Sequence, residues 1–208
     1  MTKENPWFHI IKFVRNFDQE TTELEVRGKD PKTGFYKADL LISLRQNVRN
    51  ELKSLKQLLL STLSERETYY ILFPLIAMSD ERIRSLPYIE EHKWSPLQKE
   101  LFQVDNAGEL FYQIIDELIK KSNTLNLIFE VFYFCLSNGF KGKYQLERHR
   151  IDEYKEKLKV LIPISETPLT GGGNKEIRKI KPYSFPYLYY LIPAIGISIY
   201  YFSLKFLT

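Results

Sequence analysis

Two carboxylates stand next to each other at the end of an apolar stretch, in the run Ile76-Ala77-Met78-Ser79-Asp80-Glu81. An adjacent acidic pair in such a setting invites general acid–base chemistry, because burial and mutual repulsion drive two pKa values apart. On a helix, however, neighbouring side chains project about 100° apart, so the two do not easily converge on one substrate atom. A plainer reading makes them a polar helix end paired with Arg82 or Arg84; the other assigns them to a partner or to bridging two lobes. No catalytic set accompanies them. His9, His92 and His149 each lack a second histidine or cysteine at helical ligand spacing, so no metal site is expected. Gly171-Gly172-Gly173 are not followed by Lys-Ser/Thr and are not a phosphate loop, and no glycine-flanked serine elbow occurs. The single cysteine, Cys135, excludes an intramolecular disulfide, fits a reducing compartment, and lies in an apolar run as a buried structural thiol. Neither a catalytic residue nor a cofactor follows from these residues.

The elements that must carry the pair are helical. Trp7, Ile10, Ile11, Val14 and Phe17 have the three-to-four spacing of a short amphipathic helix. Residues 18–38 are polar, contain Gly28, Pro31 and Gly34, and read as a long loop. Leu41, Leu44, Val48, Leu52, Leu55 and Leu59 mark a helix of about six turns. Tyr69 to Met78 is apolar nearly all round, which predicts the most buried helix, bent at Pro74. Asp105-Asn106 and Gly108 start a helix over about 109–121, with Leu110, Phe111, Ile114, Ile115 and Leu118 inward. A further apolar helix runs from about Leu125 to Leu136 and is stopped at Asn138-Gly139. A charged helix over about 145–161 ends before Pro163. With no strand alternation in these segments, the expected fold is all-α, two small helical bundles packed side by side.

Residues 182–204 hold no charged side chain. At about 1.5 Å per residue that run is roughly 34 Å long, enough to cross a bilayer core of about 30 Å. Tyr183, Tyr187, Tyr200 and Tyr201 lie towards its two ends, where aromatic rings favour the headgroup layer. The expected organisation is therefore a cytoplasmic domain over 1–162, a flexible basic linker over 163–182, and one C-terminal transmembrane helix over 183–205. Lys175, Arg178, Lys179 and Lys181 precede the run and Lys205 alone follows it, which holds the N-terminal domain on the cytoplasmic side. Residues 1–174 carry 25 basic and 25 acidic side chains. The net +4 therefore belongs to the membrane-proximal end and suits anionic lipid rather than nucleic acid.

The motifs acquire more meaning in series. The apolar helix ending at Asp80-Glu81 is followed by Trp94 in Lys93-Trp94-Ser95-Pro96-Leu97-Gln98, then by Ala107-Gly108-Glu109-Leu110-Phe111-Tyr112. Phe134-Cys135-Leu136-Ser137-Asn138-Gly139-Phe140-Lys141-Gly142-Lys143-Tyr144 comes last. Over about residues 40 to 163 this order and spacing resemble the DotU/TssL family, also called IcmH, of type VI and type IVb secretion systems. That family's pattern runs as an apolar helix into Ala-x-x-Asp-Glu, a Trp, Gly-Gly-Glu-x-Phe-Phe, and Cys-Leu-x-x-Gly-Phe-x-Gly-Arg-Tyr. The resemblance implies a scaffold and no enzyme. It implies a hook-like cytoplasmic domain of two bundles, held at the bacterial inner membrane. The implied associates are a large IcmF/TssM-like membrane protein, the secretion baseplate and a second copy as homodimer. Asp80 and Glu81 fall on the family's acidic pair in the cleft between bundles. Trp94 matches the family tryptophan; Gly108, Glu109 and Phe111 match the middle motif; Gly139, Gly142 and Tyr144 match the last. The glycines are expected to permit tight turns and close approach of helices, and the carboxylates to pin turns or meet a partner's basic groups. Ala107, Tyr112 and Lys143 depart from the pattern, and Lys143 cannot reproduce a bidentate arginine contact. Pro74 is unexpected, and no room remains for a peptidoglycan-binding extension after the span. Two other classes of function compete: a tail-anchored enzyme using Asp80, Glu81 or His92, and an unrelated tail-anchored adaptor.

Overall fold

In a computed structural model of the chain, residues 5–27, 38–86 and 94–163 are described, all within one compact unit, Met1–Ser165. Among them every regular element is helical: α1 (Pro6–Arg27), α2 (Ala38–Leu60), α3 (Glu65–Arg84), α4 (Leu97–Phe102), α5 (Ala107–Leu118), α6 (Asn126–Ser137) and α7 (Arg148–Leu161). A single 3₁₀ turn, Gly142–Tyr144, lies between α6 and α7.

α1 and α2 form an antiparallel pair. Asn16 Nδ2 donates to Glu51 and Asn47 Nδ2 to Glu20, so the partners run in opposite order along the two chains. The α2 stripe from Leu41 to Leu59 is buried at all six predicted positions. α1 is longer than expected, and the predicted loop over 18–38 is corrected over 18–27, which are helix. Thr21 and Leu24 continue the buried spacing of Phe17, and Thr21 Oγ1 donates to the Phe17 and Asp18 carbonyls. A hydroxyl that returns its bond to the helix's own backbone is compatible with a buried face.

α3 is the central element, touching α2, α4, α5 and α6. Its start is a capping box. Glu67 N–H donates to Ser64 Oγ at 3.3 Å, and Ser64 N–H donates to Glu67 Oε2 at 2.9 Å. Buried residues then occupy every position from Ile71 to Asp80, as the all-round apolar pattern predicts. Pro74 lies inside this helix, which continues to Arg84. With no N–H of its own, Pro74 leaves the carbonyl four residues earlier without its helical donor.

α6 buries Ile128, Phe129, Val131, Phe132, Cys135 and Leu136 against α3 and α7. One continuous hydrophobic cluster joins all the helices, with Trp94, Tyr112, Phe73, Phe111 and Phe132 among its largest fully buried members. The linker beyond Pro163, the uncharged run, Gly171–Gly173 and His92 lie outside the described residues. No described helix is long and apolar enough to cross a membrane.

Candidate functional site

Asp80 and Glu81 occupy the last turn of α3 and send their carboxylates to two different loops. Asp80 is fully buried. Its Oδ1 accepts from Trp94 Nε1 at 2.9 Å and from Leu97 N–H at 3.0 Å, while Oδ2 accepts from Gln98 N–H at 2.8 Å. Leu97 and Gln98 begin α4, so Asp80 serves as that helix's N-terminal cap from another element. Residue 96 is a proline and offers no side-chain cap of its own. Burial pushes the Asp80 carboxyl above its ordinary range, against the pull of the two amides, the indole and Arg84.

Glu81 is partly buried and faces the chain leaving α6. Lys141 N–H donates to Oε1 and Gly142 N–H to Oε2, each at 2.8 Å. Of the two flanking arginines, Arg82 turns elsewhere and Arg84 stays with Asp80, whose carboxyl its charge pulls down. Arg82 pairs with Asp18 at 2.6 Å, and Arg84 Nε donates to the Asp80 backbone carbonyl at 3.4 Å.

The Glu81-bound turn is clasped from the far side by α5. Gly108 in the first turn of α5 meets Gly142 backbone to backbone. A Cβ on Gly108 would lie 3.1 Å from Gly142 Cα, and one on Gly142 would lie 2.7 Å from the Gly108 carbonyl oxygen. Gly142 also has φ +54°, a region that side-chain-bearing residues avoid. Gly139 has φ +97° with open space where a Cβ would go, so it serves only the helix stop. Tyr112 OH donates to the Lys141 carbonyl at 2.8 Å. Its phenol is pushed up by burial, with Glu81 and Tyr144 adding to the shift.

Aromatic rings fill the space beneath. Phe111 packs on Phe140 with centroids 4.3 Å apart and edge-on to Phe132 at 4.8 Å. Tyr144 meets Tyr112 at 4.6 Å. Lys143 Nζ stands 5.1 Å over the Tyr144 ring, a cation–π contact in place of a guanidinium fork. Glu109 is exposed and completes the cap of α5: Asn106 Oδ1 accepts from its N–H, and Asn106 Nδ2 donates to its Oε2 at 2.9 Å.

The structure therefore brings Asp80, Glu81, Trp94, Gly108, Phe111, Gly142 and Tyr144 into one region, with Glu109 and Gly139 at its margins. Sequence reasoning missed Leu97, Gln98 and Lys141, which enter through backbone amides. An amide contact leaves no trace in residue type. It also missed Tyr154, whose hydroxyl donates to Asp116 Oδ2 at 2.9 Å, although Tyr154 lies on the Ile151–Leu158 stripe of α7.

Chemically, the arrangement fastens loops. The Asp80 oxygens are occupied by three donors. Burial pushes the Cys135 thiol far up, away from a reactive thiolate. Among the described residues no three histidine, cysteine, aspartate or glutamate side chains gather to hold a metal. The fold and this junction define, over the described residues, an all-helical domain with two loops fastened to one central helix.

A family model, type VI secretion system protein DotU, matches residues 35–206. The chain belongs to that family. Among solved structures it is similar to DotU from Francisella novicida, at 26% identity and TM-score 0.59 over 74% of this chain and 97% of that one. It shares its fold with TssL of Escherichia coli enteroaggregative 042 at 18% identity and TM-score 0.56, covering 86% of this chain and 97% of that one. The cytoplasmic domain of TssL from Acinetobacter baumannii matches at 24% identity and TM-score 0.50, over 58% of this chain and 83% of that one. No curated protein matches.

Proposed function

We propose that this chain is an inner-membrane scaffold of a type VI secretion apparatus. In this reading the helical body is a hook of two small bundles on the cytoplasmic face, and residues 183–205 cross the bilayer once. The body joins an IcmF/TssM-like membrane protein to the baseplate, and the Asp80–Glu81 junction holds the loops that such partners meet. The observation that carries the reading is the extent of the family match. It continues to residue 206 and so takes in the uncharged run together with the body. A run of that length without a charge is suited to lipid, and the basic cluster before it to the cytoplasmic side.

The test is extraction from actively secreting cells with mild detergent. The chain is expected to co-purify with a very large membrane protein and to stay with the membrane pellet through an alkaline wash. A lone monomer in the detergent extract would sink the scaffold role, and release by alkali would sink the anchor.

A further inference from the structure

We infer that one end of the helical body, formed by the first turns of α1 and the last turn of α7, is a seat for an anionic membrane surface. The inference rests on the anchored reading above. α1 has two faces. Ile10, Phe13, Val14 and Phe17 enter the core, while Phe8, Ile11, Lys12 and Arg15, at helical spacings of three and four, share the outward face. Phe8 is 66% exposed and Ile11 38%. Large apolar side chains at the helix start, followed one turn on along the same outward stripe by Lys and Arg, suit a helix tip dipping into a headgroup layer. The rings and branched chains enter the acyl boundary, and the long basic chains reach back to phosphate.

Charge points to the same occupant. Residues 5–17 contain Lys12 and Arg15 and no acidic residue, although residues 1–174 as a whole carry 25 basic and 25 acidic side chains. Neither Lys12 nor Arg15 has an ion pair among the described residues.

The place on the body agrees as well. Trp7 packs edge-on to Phe134 at 5.6 Å and donates its indole N–H to Glu130. Trp7, Tyr133, Phe134, Ile162 and Pro163 line a groove of about 370 Å³ that also takes in Ser137, Lys159 and Glu130, the last being the acceptor of the Trp7 indole. Val160, 84% exposed, is on the adjoining turn of α7. The start of α1 therefore lies beside Pro163, where the chain departs towards Lys175, Arg178 and the uncharged run.

In the anchored reading the uncharged run begins at residue 182, 19 residues past Pro163. Tethering at that range keeps the lipid surface at high effective concentration, so a small patch suffices to seat the body. The result is an orientation: the α1–α7 end towards the lipid, and the α1–α2 end, where Asn47 meets Glu20, away from it.

The test uses the full chain in nanodiscs of phosphatidylethanolamine with or without phosphatidylglycerol. An environment-sensitive fluorophore is placed through Phe8→Cys, or through Ser43→Cys on exposed α2 as the distant control; buried Cys135 stays unlabelled in the native protein. The expected result is blue-shifted emission at position 8, quenched by brominated lipid and stronger with phosphatidylglycerol. Position 43 is expected to remain aqueous. Lys12→Gln and Arg15→Gln should lower the ratio of seated to free label by roughly fivefold per charge removed. A label at position 8 as aqueous as that at 43, in a chain that resists alkaline extraction, overturns the seat and leaves the anchor standing. Shielding that ignores lipid charge and brominated lipid but grows with copies per disc also overturns it, in favour of a protein contact. A chain that alkali extracts takes the anchored reading down as well.

Discussion

At the scale of single residues, Asp80 and Gly142 are the positions where one atom decides most. Removing the Asp80 carboxylate strands an indole N–H and two amides in a buried site. Asp80→Ala is therefore expected to cost roughly 2–4 kcal/mol in urea unfolding followed by tryptophan emission. Glu81→Ala frees two amides in a wetter place and should cost roughly 1–2 kcal/mol by the same measurement. The glycines give an ordered series. Gly142→Ala combines positive φ with a Cβ 2.7 Å from a carbonyl oxygen, whereas Gly139→Ala meets strain in open space. Gly142→Ala should lower the melting temperature clearly more than Gly139→Ala, which loses about 1 kcal/mol. The reverse order would mean that the Gly108–Gly142 contact is loose in solution. Acid titration has a definite sign. The Asp80 carboxyl is raised in the folded chain from its ordinary 3.8, so between that value and its raised one the native state holds more proton than the unfolded state. Stability contributed there is present at low pH and lost as pH rises through that window. Urea midpoints across the window should show this downward slope in the native sequence and a flatter one in Asp80→Asn.

At the scale of elements, the helices that announced themselves did so through core-facing stripes. Leu41 to Leu59 and Tyr69 to Met78 became α2 and α3 because each repeat places one apolar face, or all faces, against neighbours. Residues 18–27 of the expected 18–38 loop are helix, with Thr21 satisfying its hydroxyl on the Phe17 carbonyl, a bond that composition hides. α4 escaped notice for a different reason. Six residues are too few to show a period, and its cap is a side chain seventeen residues upstream in α3. Much the same holds for the junction itself. That adjacent carboxylates on a helix diverge could be argued from 100° per residue; that they diverge onto backbone amides of two loops could not. The start of α3 supplies a test at this scale. Ser64→Ala breaks the capping box and is expected to cost about 1 kcal/mol, with Ser64→Asp recovering most of it.

At the scale of the whole molecule, a single hydrophobic cluster running through α1 to α7 predicts one cooperative transition for the body. Helical circular dichroism, Trp94 emission and exposure of Cys135 to a thiol reagent should share one midpoint in urea. Separated midpoints would indicate that the α1–α2 pair melts independently of the helices around α6. The same continuity gives a meaning to the consecutive placement of Asp80 and Glu81. Two loops, reached by side chains about 100° apart, hang on neighbouring residues of one helix, so they share a lever arm. Twisting the last turn of α3 swings both in concert, and neither shifts alone without tearing amides from a carboxylate. A pull arriving at one loop is thus delivered to the other across a single peptide unit. That stiffness suits the scaffold role proposed above.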